Sequence, residues 1–361
     1  MPRDEVQFQY RLIAQEIKGQ ILRGEIRSGE RLQSERNLGL RFQVQRNTIR
    51  QALAVLESEG QIVTSGRSGS YVLPPSPTTG GILQISIHRG SGPNINGLVE
   101  GFSQVAERAG FRLGRQSTDP LPDSEISLIP SREELPSDTA GVVLWPHYPS
   151  DPDRIKRLNE WVPLVLVDRR IMGVSSDCVR FDDLTGGKLI TQHLIDLGHR
   201  QIAFLTDEVF AETVHSRWHG YLLAHEEAGI PHNPSLSVLY QMMDARIFAM
   251  TMNYLMSDPL LRPTAVVCSN DVVAFALLRY LHTEGIRVPE DMAVTGYGNS
   301  MPDYAEAISL TTIDQPFIDL GREAARLLCE RTQQTSSERL KSPRDIILPV
   351  HLVIRGSTSA S

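Results

Sequence analysis

Few cysteines, few aromatics and no long apolar run set the first limits on this 361-residue chain. Cys178, Cys268 and Cys329 are odd in number, far apart and without any C-x-x-C pair. That argues against a disulfide framework or a thiolate zinc cluster and leaves buried free thiols. No stretch approaches the roughly eighteen apolar residues of a membrane helix, and no apolar leader opens the chain, so a cytoplasmic protein without a membrane partner is expected. Catalytic signatures are missing too. G-x-S-x-G does not occur, Gly186-Gly187-Lys188-Leu189 lacks the earlier glycine and the Ser/Thr of a phosphate loop, and Gly296 and Gly298 lack the third glycine of a dinucleotide fingerprint. His215 and His219 are four apart with His225 nearby, but no acidic residue completes an H-E-x-x-H arrangement, so chance histidines on a helix are expected. Neither a metal nor another cofactor is expected.

Acidic side chains are also absent from one particular stretch. Residues 36 to 50 contain Arg36, Arg41, Arg46 and Arg50 and no Asp or Glu. Ile49, Ala52, Leu53 and Leu56 follow helical spacing there, so Arg46, Asn47 and Arg50 must face away from the core. One solvated arginine would mean nothing. Four of them on a second helix, a turn and the open face of a third point to DNA, because guanidinium groups serve phosphates and guanine edges through a planar fork of donors.

The surrounding pattern completes a winged helix-turn-helix. Tyr10, Ile13, Ile17 and Ile21 mark an amphipathic first helix ending near Gly24. Ser34 caps a short second helix with Glu35 in its first turn. The third helix spans about Gln45 to Glu59 and stops at Gly60. Gln61 to Thr64 and Ser70 to Leu73 then read as strands around Ser65-Gly66-Arg67-Ser68-Gly69, the wing. The whole chain carries a net charge of −7, yet residues 1 to 75 carry +3 and the remainder −10, so any DNA contact is local to the N-terminal part.

These residues carry a resemblance. Gly24 to Arg36, Val44 to Leu53 and Leu56-Glu57-Ser58-Glu59-Gly60 resemble the DNA-binding domain of the GntR family of bacterial regulators over about residues 8 to 73. The resemblance implies DNA contacts from Arg36, Arg46, Arg50 and the Gly66 region, and adds Gln45, Asn47, Thr48, Ser65 and Arg67 as neighbours on the same surface. Gln33 and Gln45 depart from the family's usual proline and Ser/Thr.

Pro74 to Gly81 reads as a linker, a proline segment followed by glycine, so the domains are expected at 1–73 and 82–361 with 74–81 between. Beyond it, apolar runs at Ile82–His88, Gly141–Trp145, Leu164–Asp168, Ile202–Leu205, Ala265–Cys268 and Ala293–Gly296 alternate with helical patterns at Leu98–Ala109, Gly187–Leu197 and Val272–Glu284. That alternation means an α/β fold with parallel sheets between helices, and the length favours two lobes around a cleft. Ligands in such folds bind beyond the carboxyl ends of the strands.

A second resemblance lies at those ends. Phe181-Asp182-Asp183-Leu184-Thr185-Gly186-Gly187, His193 to Phe204, Arg217-Trp218-His219-Gly220-Tyr221, Pro263 to Asp271, Val288 to Asp291 with Gly296 to Asn299, and Leu310 to Ile313 are similar to the periplasmic-binding-protein-like effector domain of LacI/GalR-type repressors. The combination with a GntR-like module resembles the AraR-type repressors. It implies a homodimeric repressor that binds double-stranded operator DNA and is released by a small sugar-like effector. The implied ligand contacts are Arg217, aiming its donors at hydroxyls, and Asn270, with Asn94, Trp145, Asp168, Arg169, Trp218 and Asn299 beside them. Each has a blander reading: Asp168 as a turn cap, Trp145 as core, Arg217 as a surface partner of Glu212 or Glu226, Asp271 as the cap of the next helix. The family's aspartate is replaced by Gly298, for which Asn299 is a candidate substitute. A DNA-tethered sugar-processing enzyme is the alternative function, with no catalytic constellation to support it.

Overall fold

Apolar stripes at helical spacing, and the residues that cap them, build the first of two compact units, Met1–Thr79 and Gly80–Ser361. The computed structural model describes residues 3–22, 26, 30–58, 62–65, 69–72, 81–88, 94–118, 129–146, 150–207, 211–239, 245–257, 262–300 and 308–358. In the first unit α1 (Arg3–Leu22), α2 (Glu35–Phe42) and α3 (Arg46–Ser58) bury Ile13, Ile17, Leu38, Ile49, Leu53 and Leu56 against one another. Ser34 caps α2 by accepting from the Asn37 amide at 3.2 Å, and Glu35 follows in the first turn, where the helix dipole favours a carboxylate.

β1 (Ile62–Ser65) and β2 (Gly69–Val72) form an antiparallel hairpin, one residue later and one residue earlier than the sequence pattern suggests. A third segment joins them that carries no strand pattern of its own. Arg31 bridges Tyr71, with the Leu32 amide on the Ser70 carbonyl and the Val72 amide on the Glu30 carbonyl, both at 2.9 Å. The expected stops at Gly24 and Gly60, the wing tip with Gly66 and Arg67, and residues 74–80 of the expected linker lie outside the described residues.

The second unit holds two parallel sheets. The first, in strand order β13-β7-β6-β5-β3-β4, comprises β3 (Ile82–His88), β4 (Arg112–Thr118), β5 (Thr139–Leu144), β6 (Leu164–Val167), β7 (Asp177–Phe181) and β13 (Asp345–Leu348). The second, in order β11-β10-β8-β9, comprises β8 (Ile202–Thr206), β9 (Ser237–Leu239), β10 (Ala265–Cys268) and β11 (Ala293–Thr295). α4 (Asn94–Arg108), α5 (Pro152–Trp161), α10 (Phe317–Thr332) and α11 (Ser336–Lys341) belong to the first lobe. α6 (Asp183–Asp196), α7 (Glu212–Glu227), α8 (Ala245–Ser257) and α9 (Asp271–Thr283) belong to the second. The central strands are buried on both faces, as parallel strands between helix layers must be. Residues 181–183, 314–317 and 348–351 carry the chain between lobes, beside an antiparallel pair of β12 (Thr312–Asp314) and β14 (His351–Val353).

Candidate functional site

The open face of α3 gathers exposed basic and amide side chains of the first unit. Gln45, Arg46, Asn47 and Arg50 are exposed, and so is Arg36 on α2. Arg46 and Arg50 are not independent: one carboxylate serves both. Glu35 accepts from Arg46 Nε at 2.5 Å and from Arg50 Nε at 3.1 Å. Burial works against ionising Glu35, but the hydrogen bonds from both guanidinium groups prevail and hold its carboxyl below the usual range. The two arginines are thereby aligned through their ε edges while their side chains stay 66% and 60% exposed.

Two residues expected on this face turn elsewhere. Thr48 is only 6% exposed, because its place in the first turn of α3 faces the core side of the helix. Arg41 donates to Gln20 Oε1 at 3.3 Å and lies over the Phe42 ring, tying α2 to α1. Ser65 ends β1. Arg31, which the sequence pattern did not single out, lies with its guanidinium against Gly69 at the base of the wing.

In the second unit three of the expected ligand residues, Trp145, Asp168 and Arg169, are in contact at the strand ends. Asp168 follows β6 with φ 73 and is buried; it accepts from Trp145 Nε1 at 3.2 Å and from Arg169 Nε at 3.0 Å. The Trp145 ring, half-buried after β5, stacks on Phe317 with centroids 5.6 Å apart. Asp168 is thus no simple turn cap, and Trp145 couples an aromatic face to a carboxylate.

Arg217 departs from the expectation that it aims its donors at hydroxyls. Its Nε donates to Asp183 Oδ1 at 2.8 Å, its Nη1 to the Ser269 carbonyl at 2.7 Å, and the Tyr297 ring covers it at 3.9 Å. Neither Glu212 nor Glu226 is its partner; the pair is internal, with side chains 9% and 4% exposed. The arrangement needs α6 and α7 in close contact, which Gly187 and Gly220 allow: a methyl at Gly187 would run into the Arg217 carbonyl, and one at Gly220 into the Leu184 carbonyl. Burial pushes the Asp183 carboxyl up, with Arg217 pulling against it.

Asn270, not Asp271, caps α9, accepting from the Val273 amide at 2.8 Å while its Nδ2 donates to Asp207 at 3.0 Å. Asp271 is instead buried and receives Thr312 Oγ1 at 2.7 Å. Trp218 donates to Ser237 on the edge strand β9 at 3.2 Å and does not join Arg217. Asn299 is bonded within the protein: its Nδ2 donates to Asp314 and its Oδ1 accepts from Arg355. What faces Gly298 is a residue the motifs did not single out. The space over Gly298 (φ 118) opens on Gln315 Oε1 and Asn94 Nδ2, and Gln315 is buried with its Nε2 unpartnered. A buried amide donor without a partner is costly. His215 and His219 are exposed, whereas His225 is buried against the Tyr221 carbonyl. Among the described residues no group of three His, Cys, Asp or Glu side chains could hold a metal, and no helix is long and apolar enough to cross a membrane.

Known proteins share both halves. Residues 9–72 match the gntR family of bacterial regulatory proteins, and residues 191–358 match a periplasmic binding protein-like domain. Over 97% of both chains the sequence is 30% identical to the arabinose metabolism transcriptional repressor of Geobacillus stearothermophilus. Among solved structures, a LacI family transcriptional regulator from Enterococcus faecium with bound ribose is similar at TM-score 0.63 and 29% identity, covering 78% of this chain and 99% of that one. A transcriptional regulator CelR–cellobiose complex is similar at TM-score 0.64 and 26% identity, covering 87% and 92%.

Proposed function

This chain belongs to the family of bacterial arabinose-metabolism repressors and is a ligand-responsive transcriptional repressor, and from that premise we propose that it binds a near-palindromic operator as a homodimer and releases it when arabinose fills the cleft. The observations that support the ligand half are the Trp145–Asp168 pair with Phe317 stacked on the indole, and, two residues before Phe317, the buried Gln315 beside Asn94 and Gly298. An aromatic face beside a carboxylate and amide donors is the chemistry that holds a polyol: the ring covers the apolar face, and the polar groups take hydroxyls. Arg169, Arg217, Asn270, Asn299 and Trp218 are each already bonded within the protein and complete the candidate site.

On the DNA side Arg36, Gln45, Arg46, Asn47 and Arg50 form the reading face, with Ser65, Gly66 and Arg67 at the wing. Residues 1–73 read the operator, and 82–361 bind the effector and dimerise, joined by 74–81. Two modules on one two-fold axis match two half-sites. Sugar binding favours one lobe arrangement and so changes operator affinity only to the extent that it binds the two states differently. The named relatives are regulators rather than enzymes, and no catalytic constellation among the described residues favours a DNA-tethered enzyme. Calorimetric titration of the full chain with arabinose, and with ribose as the comparison, tests this reading: it requires arabinose binding that Gln315→Ala weakens.

A further inference from the structure

One ion-pair network crosses between the lobes without using any residue assigned above. Arg170 lies in the connection after β6, two residues beyond Asp168, in the first lobe; Glu212 is the first residue of α7, five before Arg217, in the second. The Arg170 main-chain N–H donates to Glu212 Oε2 at 2.9 Å, and its Nη2 and Nε donate to Oε1 at 3.0 and 3.3 Å. Behind this contact Asp345, at the head of β13, holds Arg180 through two bonds (Nε–Oδ1 2.9 Å, Nη2–Oδ2 2.8 Å) and lies 3.6 Å from Arg170 Nη1.

Including a main-chain donor matters, because it ties the carboxylate to the path of the β6–β7 connection rather than to a swinging side chain alone. Glu212 is held at its own end as well: it occupies the first turn of α7, where the helix dipole favours negative charge and Ala211 provides no side-chain cap. Both elements also carry cleft residues, so their separation and the width of the cleft change together.

We propose that Arg170 and Glu212 form a clasp that holds the two lobes together, with or without sugar, and that they act as positioning residues for effector binding. The clasp touches no sugar; it favours the arrangement in which Asp168 on one side and Arg217 on the other enclose one. The proposal rests on the cleft being the effector site. With the side chains of Arg170 and Glu212 54% and 35% exposed, the interaction is screened by salt and its effect is a matter of several-fold in affinity.

The test uses the full chain, arabinose as probe, and the variants Arg170→Ala, Glu212→Ala and both together. Arabinose Kd is expected to rise about threefold in Arg170→Ala and about five- to tenfold in Glu212→Ala, which also loses the main-chain bond, with the double variant no weaker than Glu212→Ala. Operator affinity without sugar should stay within about twofold. Raising the salt should weaken arabinose binding in the wild type and leave the double variant unmoved. Losses that simply add, or a wild-type Kd in Glu212→Ala, overturn the proposal. Hydrogen exchange without sugar separates failure of the clasp from failure of the arabinose reading: the Arg170 amide should exchange about tenfold faster in Glu212→Ala, while the Val174 amide, bonded to Ile171 within the same connection, should not change. An unchanged Arg170 amide shows that the contact is absent in solution, whatever the sugar does.

Discussion

Arg217→Met is expected to cost far more in stability than an exposed arginine would. Arg217 and Asp183 are 9% and 4% exposed, and removing one member of such a pair leaves a carboxylate buried without its counter-charge. Losses of that kind run at about 3–5 kcal/mol, about a fifth or more of the roughly 5–15 kcal/mol stability of an ordinary domain. Tryptophan fluorescence during urea unfolding isolates the relevant unit, because Trp145, Trp161 and Trp218 all lie beyond residue 80. The pH dependence follows from the sign of the Asp183 shift. Burial raises its folded-state pKa while Arg217 opposes the rise, so without Arg217 it climbs further. A carboxyl with a raised folded pKa costs nothing well below its unfolded pKa of about 3.9, and destabilises the fold progressively as pH rises from there to the folded value, above which the penalty is constant. The deficit of Arg217→Met relative to the wild type should therefore be largest near pH 8 and shrink toward pH 5.5. Adding Asp183→Asn removes the stranded charge and should recover at least half the loss at pH 8. A single variant within about 1 kcal/mol of the wild type, or a double variant that loses the sum of the two single changes, would show that the pair is not the buried interaction described here.

On the DNA side, Arg46→Ala or Arg50→Ala should each cost about 1–3 kcal/mol of operator binding by fluorescence anisotropy, with arabinose affinity unchanged; no loss in either removes α3 from the reading face. Replacing Glu35 with Gln weakens the hold on both guanidinium groups and should change operator affinity without changing the unfolding of the second unit. Gln315→Ala should weaken arabinose binding about tenfold by calorimetry, since a sugar oxygen would lose its buried donor; full affinity would place the sugar elsewhere. His225 is buried and its pKa is lowered by that burial, so the unfolded chain takes up its proton first and stability falls as pH drops below about 6.5. His225→Leu should flatten that fall between pH 7 and 5, and an unaltered slope would assign the acid sensitivity to other groups.

The sequence pattern reached the elements with strong periodicity and stopped where tertiary context decides. Ile82–His88 and Ala265–Cys268 match β3 and β10 residue for residue, because apolar runs between helix layers are legible in themselves. β4, with the polar sequence Arg112 to Thr118, was not legible: an edge strand paired on one side needs no apolar run. The bridge at Arg31 is a product of the hairpin it joins. At the sites, the family resemblance led to Asp168, Trp145 and Asn270, but not to what they bond. Arg217 was read as a ligand donor because a sequence does not reveal that Gly187 and Gly220 draw α6 against α7 and bring Asp183 within reach. Gln315 follows β12 with no motif around it, and only its burial beside Gly298 singles it out.

Release of operator by sugar is the most direct measurement. Double-stranded DNA selected from a random pool by the full chain, labelled and titrated by anisotropy with and without saturating arabinose, should be bound by a dimer and lose at least about tenfold in affinity when arabinose is present, a coupling of about 1.4 kcal/mol. Selected DNA that is held equally tightly with arabinose bound to the protein would overturn the coupling of cleft to operator.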